Sequence, residues 1–107
     1  MPRRIEASDH YAPALTEKEF QRQVSDLAKI LGWAVYHPWL SIHSERGWPD
    51  LAMVKPPRLV LAELKREKGK TSPSQDRWLE LLRGCPGIEV YVWRPSDMDG
   101  IARLLGA

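Results

Sequence analysis

One cysteine, Cys85, stands in the whole 107-residue chain. No disulfide can close within it, and no cluster of cysteines can hold zinc. The simple consequence is a reducing compartment, with Cys85, set between Gly84 and Pro86, read as a turn or core residue. No apolar run approaches the roughly 18 residues that a membrane-crossing helix needs. The stretch from Met1 to Pro13 is polar and has no signal-peptide core. The expectation is a protein with no membrane partner, located in the cytoplasm. A strong charge of one sign is missing too. Lys and Arg number 16 against 14 Asp and Glu, a formal net charge of +2, which permits a nucleic-acid partner without demanding one. There is no internal repeat and no low-complexity segment. The 43% hydrophobic content argues against disorder. This length makes one domain, and a domain so small has enough surface that a second subunit often helps to stabilise it.

What is present reads as a succession of short elements. Residues 1–13 form a flexible N-terminal arm with Arg3 and Arg4, and 14–107 form a single domain. Thr16 and Glu19 make a capping box. Phe20, Val24, Leu27 and Leu31 recur at helical spacing, and Gly32 ends the helix. A first strand covers Trp33 to His37, limited by Pro38. A loop then carries Trp39, His43, Arg46, Gly47, Trp48 and Pro49. Asp50 to Lys55 and Arg58 to Lys65 are two further strands around a Pro56-Pro57 turn. The apolar run Leu59-Val60-Leu61-Ala62 implies burial on both faces. Ser72, Pro73 and Gln75 open a second helix with another capping box, and Trp78, Leu79 and Leu82 form its apolar face. Ile88 to Trp93 is a fourth strand, and Ser96 and Asp99 cap a last helix. The order α-β-β-β-α-β-α predicts an α/β fold. Its first three strands form an antiparallel meander, and the fourth, after a helical crossover, lies parallel to one of them.

Alternation of side chains puts Glu63 and Lys65 on one face of the third strand. Strand ends carry charge for no better reason than reaching water, and Asp after Pro is a common turn residue. A hairpin around Pro56-Pro57, however, brings Asp50 beside Glu63 and Lys65 at one end of the sheet. Two carboxylates and an ammonium suit phosphodiester hydrolysis. Carboxylate oxygens take Mg2+, which activates water and stabilises charge on the phosphoryl group. Lys65 would orient or activate the attacking water, or neutralise developing charge. Glu17 heads the inward-facing stripe of the first helix; complementing the helix dipole explains it as well as reaching a metal does.

Gly47-Trp48-Pro49-Asp50-Leu51, then Ala62-Glu63-Leu64-Lys65, then Ser72-Pro73-Ser74-Gln75 with Trp78-Leu79, resembles the VRR-NUC domain of the PD-(D/E)XK nuclease superfamily. The likeness runs from about Thr16 to Leu105. What makes the short motif specific is its placement on the second and third strands of an αβββαβ order, followed by a Gln-bearing helix. The resemblance implies a restriction-endonuclease-like core with a mixed central sheet flanked by helices. It implies Mg2+ or Mn2+ held by Asp50, Glu63, the Leu64 backbone carbonyl and Glu17. Lys65 would be the catalytic lysine, and Gln75 would sit near the site, although its capping role also explains it. Stand-alone members look phage- or bacterium-like and are similar to Holliday-junction resolvases: homodimers acting on branched DNA. That analogy makes this chain a metal-dependent DNA endonuclease of a bacterial or phage-infected cell.

Arg66, Lys68 and Lys70 follow Lys65 and could meet phosphates, as could Arg46; Trp48 could stack on bases or wedge into a junction. A solvated loop explains the basic residues equally well, and core or dimer packing explains Trp48. His37 faces DNA or is a hydrogen-bonded strand-end residue. Two other functions stay open: a non-catalytic DNA-binding module on the nuclease fold, and a nuclease acting on RNA or flaps. Retention of Asp50, Glu63 and Lys65 together argues against the first, since a binding module has no use for acids facing phosphate.

Overall fold

Thr16 begins the first helix as the spacing requires. Its hydroxyl accepts from the Glu19 N–H, and the Glu19 carboxylate accepts from the Thr16 N–H at 2.9 Å. The computed structural model describes residues 15–38 and 45–107. The expected arm over 1–13, with Trp39 and His43, lies outside the described residues. Helix α1 spans Glu17–Ile30 and buries Phe20, Val24 and Ala28, so the buried stripe passes through Ala28 while Leu27 and Leu31 pack at its margin. Gly32, at φ +93°, lets the chain reverse, and the Trp33 N–H returns to the Ala28 carbonyl at 2.9 Å.

Strand β1 is Ala34–Tyr36, β2 is Leu51–Lys55 and β3 is Arg58–Leu64. Helix α2 covers Pro73–Arg83, β4 is Ile88–Trp93 and helix α3 is Met98–Gly106. The order is the expected one. Each of the first three strands is slightly shorter than the sequence pattern suggested. The sheet runs β1-β2-β3-β4, antiparallel across the first two pairings and parallel between β3 and β4.

The register sorts the side chains. Leu51 pairs with Ala62 and Met53 with Val60, and these face α1 and α3 in a core that also holds Leu64, Trp93, Ile101 and Leu105. Fully burying a side chain such as Phe20 contributes about 1.5–3 kcal/mol. Leu59, Leu61 and Glu63 point to the opposite face, which α2 covers beside β4 with Leu79 and Leu82. This two-sided cover is why β3 is apolar over consecutive positions. Its burial runs unbroken from Val60 to Leu64.

One expected detail is corrected. Ser96 and Asp99 do not cap the last helix. A 3-10 turn over Pro95–Asp97 precedes it, Asp97 accepts from the Arg94 N–H at 2.8 Å, and Ser96 turns to Glu67 instead. Pro95 favours that tight turn, and the Glu67 contact crosses the fold, so local spacing does not reveal it.

Candidate active site

Antiparallel pairing of β2 with β3 carries the start of one strand to the end of the other. One step beyond the Leu51–Ala62 pair, Asp50 falls opposite Glu63. Asp50 is fixed through its Oδ2, which accepts from the Leu64 N–H at 2.7 Å. Glu63, only 1% exposed, accepts at Oε2 from the Gln75 amide at 2.8 Å, with Lys65 Nζ 3.6 Å from the same oxygen. Its other oxygen, Oε1, is buried and has no hydrogen-bond partner among the described residues. The side chain of Lys65 is 11% exposed, so its ammonium is held largely inside the fold.

This arrangement disfavours full ionisation. Burial, then the Asp50 charge, push the Glu63 carboxyl up to about 8, with Lys65 opposing. Burial also raises Asp50, against the lowering effect of the Leu64 N–H. Carboxyls that influence each other this way titrate as a pair. Glu17, exposed in the first turn of α1, adds negative charge that raises both. It does not join them as a third close donor: among the described residues no group of three His, Cys, Asp or Glu side chains could hold a metal ion. Asp50 and Glu63 are thus the side chains that could hold a cation directly, and Glu17 acts on them through its charge.

Gln75 resolves the choice left open by the sequence by filling both roles. Its Oε1 accepts from the Ser72 N–H at 2.8 Å, closing the capping box, while its Nε2 reaches Glu63. A carboxylate cannot replace it, because Glu63 needs a donor and the Ser72 N–H an acceptor. One feature was missed in the sequence. Gly47, at φ +89°, rests against the start of α2, and a Cβ there would fall 2.8 Å from the Gln75 nitrogen and against the Ser74 carbonyl. Trp48 meets Trp78 edge-on at 5.0 Å, and Pro49 is buried. The Gly-Trp-Pro segment therefore clamps Asp50 to the helix that holds Glu63. A glycine three residues before the key Asp was the available clue.

The remaining candidates gather around this end of the sheet without entering the carboxyl pair. Arg46, Arg66, Lys68 and Lys70 are exposed. Trp48 keeps 38% of its surface exposed beside Trp78. His37, just after β1, is exposed and donates from Nδ1 to the Pro38 carbonyl at 3.1 Å. Its strand ends beside the start of β2, since Tyr36 pairs with Ala52. Leu64 closes β3 between Glu63 and Lys65. No described helix is long and apolar enough to cross a membrane.

The family model of the VRR-NUC domain matches residues 2–97. A solved structure described as a VRR_NUC domain protein superposes with a TM-score of 0.68 at 20% identity, covering 87% of each chain. A second, described as a VRR_NUC domain, gives a TM-score of 0.68 at 26% identity, covering 83% of this chain and 97% of the other. No curated protein matches.

Proposed function

This chain belongs to the VRR-NUC domain family, and on that premise we propose that it is a divalent-metal-dependent DNA endonuclease. Family membership points to a nuclease. The observation that carries the finer reading is the carboxyl pair of buried Glu63 and half-buried Asp50, with Lys65 beside Glu63. A purely structural site would not retain a buried acid with an oxygen left without a partner among the described residues, beside a second acid. A hard cation with oxygen preference suits that oxygen and the excess negative charge. The residues that would hold Mg2+ or Mn2+ are Asp50, Glu63 and the Leu64 carbonyl, with Glu17 contributing charge. Such an ion supplies Lewis-acid stabilisation of phosphoryl charge and lowers the pKa of water.

The chain's own groups do the rest. Gln75 and Lys65 fix one Glu63 oxygen and leave the other to face a ligand. Lys65, held beside the acids, orients the attacking water and neutralises charge developing on the phosphate. The Leu64 N–H and the Gly47-Trp48 clamp hold Asp50 at the required angle, so little reorganisation accompanies reaction. Arg46, Trp48, Arg66, Lys68, Lys70 and His37 surround this end and supply phosphate contact. The preferred substrate is branched DNA of the Holliday-junction kind, and the working form is a homodimer.

A cleavage panel tests the proposal. Duplex, flap, four-way junction, single-stranded DNA and RNA are incubated with Mg2+ or Mn2+. The purified protein should cut DNA, junctions best, and lose activity in Asp50→Asn and Lys65→Ala. Equal cutting by parent and both variants would refute the site. Binding of junctions with no cutting in either metal would make the chain a binding module.

A further inference from the structure

We propose that the groove lined by Leu15, Arg66, Lys68, Gly69 and Pro95 is a subsite for one unpaired DNA nucleotide flanking the scissile phosphate; this rests on the nuclease reading above. The groove has a volume of about 410 Å3, at the lower end of the range for small-ligand sites of roughly 300–1,000 Å3. That is room for one nucleotide and too little for a duplex. Its walls are the near neighbours of site residues. Leu15 lies two before Glu17, and Arg66 directly follows Lys65. The turn also folds back on the site, since a Cβ at Gly69 would stand 3.6 Å from the Lys65 Cβ. A strand whose phosphate reaches Lys65 would place its next residue here.

The lining has two chemistries in the right combination. Leu15 and Pro95 offer apolar surface to a base face, and Arg66 and Lys68 offer cations to its phosphates. A base within a duplex is stacked and paired, and cannot turn its face to such a floor; an unpaired one can. Glu67 also lines the groove; the Ser96 N–H at 2.9 Å and hydroxyl at 2.7 Å hold it below the usual carboxylate range, so it stays ionised and tied to Ser96, and Arg66 and Lys68 together leave the lining net positive. The loop is braced before any ligand arrives. Arg94 donates to the Gly69 carbonyl at 2.6 Å, and the Gly69 N–H to the Arg66 carbonyl at 2.9 Å. A preformed site loses little ordering entropy on binding.

The test is equilibrium binding of the full chain, in EDTA, to two labelled DNA hairpins of equal duplex length, one blunt and one ending in two unpaired nucleotides. The parent should prefer the flanked hairpin by about tenfold. The double variant Arg66→Ala/Lys68→Ala should reduce that preference below about twofold with its melting temperature near the parent's, and Leu15→Asn, which also loses packing against the core, should do the same when compared as folded protein. Lys70→Ala, outside the lining, should weaken both hairpins alike. Absence of the preference in the parent, or its survival in both groove variants, would overturn the subsite. Mg2+-dependent cleavage of the same hairpins, measured in parallel, reports separately on the nuclease reading. A parent that cuts DNA while showing no flank preference refutes the groove alone.

Discussion

Strand β3 carries charge at both ends, and the two ends are solved in opposite ways. At its start, Arg58 donates to both Glu89 oxygens at 2.7 and 2.8 Å and to the Leu104 carbonyl at 3.1 Å, and lies 4.9 Å over the Trp33 ring. Tyr91 adds a hydrogen bond to Glu89 at 3.0 Å. Every charge there has an opposite or a donor, and the Arg58 hydrogen bonds hold Glu89 below its ordinary range. At its end, half-buried Asp50 and buried Glu63 lie side by side with one ammonium, that of Lys65 near Glu63, for two acids and an oxygen left over among the described residues. Matched charge ties α3 to the sheet, while the unmatched negative charge at the other end is what the proposed cation would offset.

The largest effect should come from removing the mismatch. Glu63→Gln keeps the shape and drops the negative charge, so cleavage should fall by about a thousandfold. In the metal-free protein at pH 8 the same change should raise the melting temperature by about 5 °C. A change that destroys activity and stabilises the fold is the signature of a functional acid; loss of both together would mean that Glu63 is a structural residue. At the opposite end, Arg58→Ala leaves Glu89 with Tyr91 as its remaining donor and takes the Arg58 hydrogen bond from the Leu104 carbonyl. It should cost about 1–3 kcal/mol, seen as a lower midpoint in urea unfolding, while turnover per folded molecule stays at the parent's level. A comparable loss of turnover would erase the distinction.

The two ends also predict opposite pH behaviour. Glu63 is raised from 4.5 to about 8, so its contribution to metal-free stability is full below about 4.5 and is lost as pH rises through about 8. Glu89 is lowered, so its contribution is present above its ordinary value of 4.5 and is lost as pH falls through the depressed value. Melting curves from pH 3 to 9 should show parent stability sagging at both extremes. Glu63→Gln should cure only the alkaline loss and Glu89→Gln remove only the acid one. A smaller effect isolates Gln75. Gln75→Glu keeps the acceptor for the Ser72 N–H but loses the donor to Glu63, so the helix cap survives while cleavage drops about 10- to 100-fold; Gln75→Ala should add a loss of about 1 kcal/mol for the missing cap. If the two variants cut equally to the parent, Gln75 serves the helix alone.

Much of this was legible before folding. The Thr16 and Ser72 capping boxes are local, and both formed. The turn at Pro56-Pro57 fixed which strand ends meet, and the Asp50–Glu63 pairing followed from it. What escaped was carried by contacts between distant positions. Trp33 donates to the Leu105 carbonyl at 2.8 Å across the chain, and Arg58 finds Glu89 on another strand. Ser96 is spent on Glu67 and so is not a cap. Gln75 was seen as a cap or a site residue because spacing reports one partner at a time, whereas an amide has two ends. For Glu17 the stripe left metal binding and helix-dipole complementarity equally open and the family resemblance implied the metal; a stripe fixes a helix face and not the reach of a side chain, and the structure shows its charge acting on both acids.

On the proposed reading a divalent cation completes the Asp50–Glu63 end of β3. The most direct measurement is the melting temperature of the parent, Asp50→Asn and Glu63→Gln at pH 8, each with and without saturating Mn2+. At a hundredfold excess over the dissociation constant, binding adds about 2.7 kcal/mol, so the parent should shift upward by several degrees and neither variant should move. Equal shifts in all three proteins, or none in the parent, would contradict the account.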